Sequence, residues 1–263
     1  MVNMQKTAII IPCYNEESRL DLSRFSDSSA KNQNLHYIFV NDGSTDNTEK
    51  KLDALCRLDP LRMRYITSKI NVGKAEAVRK GFVSAFEHNF GNVGYWDADL
   101  ATPIEMIPKF CEILESTDKH MVIGSRVRLL GRNIQRNAIR HYLGRLFATC
   151  ASIVLGLPIY DTQCGAKLFK NTKELRMVFQ KPFRVKWTFD VEILARFILL
   201  ERFIDSAPLT KCSVEYPLEE WIDTPGSKIK AGDFFLGAFE LLKIFYFLRW
   251  PRARNRYMEY QDY

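Results

Sequence analysis

The first half of the chain repeats one pattern: a short apolar run, a polar turn, then a segment whose apolar residues recur at helical spacing. Thr7 to Ile11 is closed by Pro12, and Tyr37 to Val40 is closed by Asn41-Asp42-Gly43. Apolar runs of this length that end in turn residues read as buried strands. Helices are predicted from Ser44, with Thr45 and Asp46 behind it, and from Asn71, continuing through Ala75, Val78, Phe82 and Phe86. Met63 to Thr67, Val93 to Trp96 and Met121 to Ile123 read as the next three strands. Strands alternating with helices predict an α/β domain with a mostly parallel sheet covered on both faces. In such sheets ligands bind beyond the carboxyl ends of the strands, so the polar residues at those ends are the candidates for function.

After about Arg126 the alternation loosens into a basic stretch, a helix near Ala138 to Leu155, a polar turn at Asp161-Thr162-Gln163-Cys164-Gly165 and a helix near Phe189 to Leu200. No linker rich in Gly, Ser or Pro interrupts the 263 residues, enough for one large core. The division predicted is a domain over residues 1–230 and a C-terminal amphipathic helix with a basic tail over 231–263.

The first strand does not end in a G-x-G-x-x-G turn, and G-x-x-x-x-G-K-[ST] is absent, which argues against a dinucleotide-binding dehydrogenase and a P-loop NTPase. The strand ends offer carboxylates instead: Glu16 after the first, Asp42 after the second, and Asp97 with Asp99 after the fourth. Such groups suit hydrogen bonds to a base and ribose and one hard cation. Mg²⁺ or Mn²⁺ takes oxygen ligands and bridges carboxylates to phosphates, and small Ala98 between the two aspartates leaves room for a ligand. Taken singly, Asp97-Ala98-Asp99 is equally a solvated turn or a helix cap, and Asp42 a turn residue.

The ordered set is more specific. Pro12-Cys13-Tyr14-Asn15-Glu16, Val40-Asn41-Asp42-Gly43-Ser44-Thr45-Asp46-Asn47-Thr48, Asn71-Val72-Gly73-Lys74 and Asp97-Ala98-Asp99 together resemble family 2 glycosyltransferases. Gly124-Ser125-Arg126, the segment from Asp161 to Phe169, Trp187-Thr188-Phe189-Asp190-Val191-Glu192 and Gly226-Ser227-Lys228 resemble the dolichyl-phosphate glucose and mannose synthase branch, the glucose-transferring members most. The resemblance implies a GT-A-like domain and an inverting transfer of a hexose from a nucleotide sugar, UDP-glucose or GDP-mannose, to a polyprenyl or dolichyl phosphate. It implies that Pro12, Tyr14 and Glu16 frame the nucleotide with Asn71 and Lys74, and that Val40 and Asp42 hold base and ribose. Asp97, Ala98 and Asp99 would serve diphosphate and metal, with Arg126 and Lys228 neutralising phosphate charge. The sequence departs from the pattern at Ile222, where mannose-transferring relatives have an arginine, and at Ala75, where many members have glycine.

Asp190 is the candidate base for an acceptor hydroxyl, or else an aspartate placed to suit a helix dipole. A lipid phosphate is already ionised at neutral pH and needs no base. The net charge of +7 attracts anions, and Arg126, Arg128, Arg132, Arg136, Arg140 and Arg145 follow one another with no acidic residue between them. The middle four recur at four-residue spacing, which one helical face could carry, either as a solvated face or beside anionic lipid. The apolar segment from Phe234 to Trp250, followed by Arg252, Arg254 and Arg256, fits a membrane interface, a dimer contact or a core helix. A polar N-terminus and cysteines without C-x-x-C pairing predict a cytoplasmic protein, at the cytoplasmic face of a membrane. The four histidines lack metal-ligand spacing. The alternatives are a family 2 transferase that extends a glycan or surface polysaccharide, and a non-catalytic basic binding protein. No zinc-finger, RNP-like or basic-zipper pattern supports a nucleic-acid partner.

Overall fold

The computed structural model of the chain describes residues 4–135, 138–203, 206–223 and 231–250. Its first half runs β1 (Thr7–Cys13), α1 (Leu22–Lys31), β2 (Leu35–Asn41), α2 (Thr48–Leu58), β3 (Met63–Thr67), α3 (Lys74–Phe86), β4 (Asn92–Trp96), α4 (Ile107–Ser116) and β5 (Met121–Ser125). The second half adds β6 (Asn133–Gln135), α5 (Ala138–Leu155), β7 (Ala166–Lys170), α6 (Lys173–Gln180), α7 (Phe189–Phe203), α8 (Leu209–Cys212), β8 (Ser213–Pro217), β9 (Glu220–Ile222) and α9 (Ala231–Arg249).

Seven strands form the central sheet in the order β3-β2-β1-β4-β7-β5-β8, and β6 pairs with β9 in a small second sheet. The period of two along β1 sorts its side chains between two cores. Ala8 and Ile10 face a cluster with residues of α3, α5, α6, α7 and α9, while Ile9 and Ile11 face one with α1, α2 and α4. This is the layered α/β architecture that the alternation predicts, and all five predicted strands are present.

Two helices start later than their sequence signals. Ser44 and Asp46 spend their side chains on the neighbouring loop: Asn15 N donates to Ser44 Oγ at 3.0 Å and Glu17 N to Asp46 Oδ2 at 3.1 Å. Helix α2 therefore begins at Thr48, whose N donates to Asp46 Oδ1 at 3.0 Å. Helix α3 begins at Lys74 because Gly73, at φ 99°, turns the chain into it, leaving Asn71 in the preceding loop.

The larger departure is β7, which enters the middle of the sheet antiparallel to both β4 and β5. Its sequence Ala-Lys-Leu-Phe-Lys carries a fully buried Lys167, a charge that hides a central strand from any apolar-run criterion. The arginine stretch does not form one helical face. Arg126 directly follows β5, and Arg128 and Arg132 precede β6 around a turn at Gly131 with φ 81°. Helix α5 is described from Ala138, and pairing of β6 with β9 holds residues 133–135 extended. Arg136 and the Arg140 side chain lie outside the described residues.

Helix α9 packs on α5 and α7. It buries Leu241, Ile244, Phe247 and Leu248 and exposes Phe235, Phe239, Leu242 and Tyr246, with exposed Trp250 just after it. No described helix is long and apolar enough to cross a membrane.

Candidate active site

Parallel register brings the ends of β1 and β2 level, with Pro12 opposite Val40 and Cys13 opposite Asn41. The loops that follow then lock together. Thr45 N donates to Asn15 Oδ1 at 2.8 Å and Glu16 N to Thr48 Oγ1 at 2.8 Å. Asn15 takes φ 50° in this loop, a left-handed conformation that asparagine tolerates better than most residues. A cavity of about 420 Å³ opens beyond these strand ends.

Its walls bring together Pro12, Tyr14, Glu16, Asp42, Asn71, Lys74, Asp97, Ala98, Asp99, Arg126 and Asp190. One described residue singled out in the sequence is not among them. Val40 is fully buried in β2 with its side chain in the core. Lys228 lies outside the described residues, as do Arg252, Arg254 and Arg256.

Asp42 is buried and fastens one loop to another: Val72 N donates to its Oδ1 at 3.0 Å and Gly73 N to its Oδ2 at 2.7 Å. Gly43, at φ 67°, permits the approach, since a Cβ there would lie 2.4 Å from the Ile70 carbonyl carbon. The result aims Lys74, first residue of α3, into the cavity, with Nζ 2.5 Å from Asp97 Oδ1. Burial pulls the Lys74 ammonium toward neutrality, but Asp97, Asp190 and Asp99 outweigh it and leave its pKa raised.

Asp97 follows β4 directly, and its N donates to the Gly165 carbonyl at 2.9 Å. The turn after it is fixed from below by Trp96, whose indole donates to Thr102 O at 2.8 Å. Buried Leu100 adopts φ 50° in this turn, an uncommon conformation for a branched side chain and one that the surrounding packing must hold in place. Asp99 Oδ1 accepts from Ala101 N at 3.2 Å, and its Oδ2 lies 3.7 Å from Arg19. Arg19 in turn grips Glu16 through two bonds of 2.7 and 2.5 Å.

Arg126, also in the lining, makes a two-pronged pair with Asp161, at 2.6 and 2.8 Å, and lies over the Trp221 ring at 5.5 Å. Asp190, in the first turn of α7, is buried, and its Oδ1 accepts from Lys167 Nζ at 2.5 Å and from the Tyr95 hydroxyl. Burial and then the Asp190 charge push the Tyr95 phenol well up, so it stays protonated as a donor.

Several of these residues escaped the sequence reading. Lys167 lies inside a quoted motif but hides in a strand. Arg19, Tyr95, Lys186 and Trp221 carry no local signal, and only the fold brings them to the cavity or to Asp190.

The carboxylates present fit a hard divalent cation. Asp97 and Asp99 project oxygen donors to one cavity beside basic residues that suit a diphosphate, and a cation of this kind takes one or two carboxylates and completes its shell from phosphate oxygens. Among the described residues no group of three or more His, Cys, Asp or Glu could hold a metal without such a ligand.

The architecture matches solved glycosyltransferases. It aligns with glucosyl-3-phosphoglycerate synthase from Mycobacterium tuberculosis, solved with Mn²⁺ and UDP-glucose, at TM-score 0.66 and 15% identity over 92% of this chain and 78% of that one. At the sequence level the chain is 31% identical to a dolichyl-phosphate beta-glucosyltransferase of Saccharomyces cerevisiae, over 84% of this chain and 68% of the relative. It is also 31% identical to the Homo sapiens protein of the same description, over 86% and 70%. The family model "Glycosyl transferase family 2" matches residues 8–180. The chain is therefore a glycosyltransferase, and it belongs to glycosyl transferase family 2.

Proposed function

We propose that the chain transfers glucose from UDP-glucose, with inversion at the anomeric carbon, to the phosphate of a dolichyl or other polyprenyl lipid. The relatives described as dolichyl-phosphate beta-glucosyltransferases support both glucose and the lipid acceptor. The UDP-glucose complex of the structural neighbour supports the donor.

The observation that carries the reading is a charged cavity whose wall residue Trp187 also packs on two helices with exposed apolar side chains. Trp187 lines the cavity and also stands 5.3 Å from the Phe147 ring of α5. The same indole lies so close to α9 that a Cβ at Gly237 would fall 2.4 Å from it. Beyond it, α5 exposes Tyr142 and Leu146, and α9 exposes Phe235, Phe239 and Leu242. A charged cavity joined through Trp187 to two helices with exposed apolar side chains suits an acceptor with a phosphate head and an isoprenoid chain, and the same helices would rest on the cytoplasmic face of a membrane.

In the transfer an acceptor phosphate oxygen forms the new bond to the anomeric carbon while the bond to the UDP oxygen breaks and UDP leaves with the electron pair. Mg²⁺ or Mn²⁺ held by Asp97 and Asp99 would offset the negative charge on that leaving diphosphate. Lys74 and Arg19 stand beside the same two aspartates and stabilise the same charge. Arg126, which lines the same cavity and lies within reach of the Asp97 charge, would neutralise phosphate charge there. That phosphate has a second pKa of about 6 and attacks without a base, so Asp190 shapes and charges the wall.

The test is transfer of radiolabelled sugar from UDP-glucose, with GDP-mannose in parallel, to a short polyprenyl phosphate with and without Mn²⁺. A metal-dependent, chloroform-soluble product from UDP-glucose is expected. Donor binding with no lipid labelled would overturn the acceptor assignment, and labelling from GDP-mannose alone the donor assignment. Flotation with anionic liposomes checks the membrane contact, which fails if the protein stays at the bottom of the gradient.

A further inference from the structure

A buried carboxylate on α9 holds part of the cavity wall. Glu240 is 4% exposed, and both of its oxygens accept from backbone just before α7. Oε1 takes Lys186 N at 2.9 Å; Oε2 takes Trp187 N at 3.0 Å, Thr188 N at 2.8 Å and Thr188 Oγ1 at 3.0 Å. A carboxylate that collects the unpaired N–H groups at a helix start caps that helix, here from another element.

The chain leading into α7 is thus fixed from two sources. Residues of α7 hold its beginning: Glu192 accepts from Arg184 N and Val185 N at 2.8 and 3.0 Å, and Arg196 donates to the Lys181 and Pro182 carbonyls. Residues 184 and 185 do not line the cavity. Of the stretch that does, Lys186 and Trp187, with Thr188 next to them, take their bonds from α9, and Phe189 and Asp190 follow directly. The helix that presents apolar side chains outward therefore sets the position of the wall inward.

We propose that Glu240 is a positioning residue for the transfer: through it, the seating of α9 fixes the acceptor-side wall formed by Lys186, Trp187 and Asp190. This rests on the lipid-phosphate reading above. The donor side, built on Asp42, Asp97 and Asp99 at the ends of β2 and β4, makes no use of this carboxylate. A residue that merely supported the fold would weaken donor and acceptor steps together.

The experiment compares the full chain with Glu240→Gln, which keeps the shape but exchanges one acceptor oxygen for a donor. UDP affinity in Mn²⁺ is measured by calorimetry, and kcat and KM are measured for a short polyprenyl phosphate in detergent at saturating UDP-glucose. We expect UDP affinity within about twofold of the parent and kcat/KM for the lipid lowered about tenfold or more, the scale of a lost charge-assisted bond. Parental kinetics toward the lipid, or equal losses on both sides, would overturn the role. Should Glu240→Gln fail to fold, Thr188→Val, which removes one of the four bonds, decides: an acceptor-side loss of about threefold is expected for this weaker change, and none overturns the proposal. If the parent labels no lipid, the acceptor reading falls and this inference with it, whereas a labelling parent matched by its variants removes Glu240 alone.

Discussion

Gly165 and Asp97 are in contact just beyond the paired ends of antiparallel β7 and β4: the Asp97 N–H donates to the Gly165 carbonyl at 2.9 Å, and a Cβ at Gly165 would lie 1.9 Å from Asp97 Oδ2. The bare glycine is thus what lets Asp97 keep its rotamer against β7. Gly165→Ala should turn the Asp97 carboxylate away and weaken UDP and Mn²⁺ binding by about tenfold or more, with little change in melting temperature. Calorimetric titration of UDP checks it, and unchanged affinity would show that Asp97 can bind in another rotamer.

The buried pair of Lys167 and Asp190 makes a separate prediction about stability. Lys167 is wholly buried and Asp190 nearly so, and removing one partner leaves the other's charge in low dielectric. Lys167→Met should cost about 3 kcal/mol of folding free energy and depress turnover as well. Urea unfolding provides the measurement; a loss below about 1 kcal/mol would mean that water reaches Asp190.

If Asp97 and Asp99 hold the metal, Asp99→Ala should lower transfer about a hundredfold or more and abolish its response to added Mn²⁺, while leaving the fold intact. Rates before and after chelation test this. Full activity with ordinary metal dependence in the variant would place the metal elsewhere.

The pH profile follows from the groups that face the phosphates. The Lys74 pKa is raised above the ordinary 10.5, so its positive charge is complete at neutral pH and is lost only as pH rises through that higher value. An alkaline limb from Lys74 should therefore be absent below about pH 10. The acidic limb should fall near pH 6, where a phosphate monoester takes up its second proton. A limb near pH 8 in kcat would instead point to an acceptor hydroxyl that needs a base.

Much of this site was legible before the fold was known. The strands, the polar clusters that close them and the set Glu16, Asp42, Asp97, Asp99 and Arg126 are local patterns, and local patterns survive in a sequence. The starts of α2 and α3 are not legible locally, because the helix-start chemistry of Ser44 and Asp46 is recruited by the neighbouring loop and Gly73 turns the chain after Asn71. The arginine spacing misled for a related reason: a four-residue repeat is helical only if the chain between is, and Gly131 and the pairing of β6 with β9 make it turn and extend.

The sequence by itself determined the alternation of strand and helix and the carboxylates at the strand ends, because both follow from interactions between near neighbours. Tertiary structure alone decided that β7 runs antiparallel between β4 and β5, that Lys167 meets Asp190, and that Glu240 reaches the backbone of Lys186, Trp187 and Thr188. Each of these joins residues far apart in the chain, and the burial that makes a lone charge costly makes its distant partner necessary.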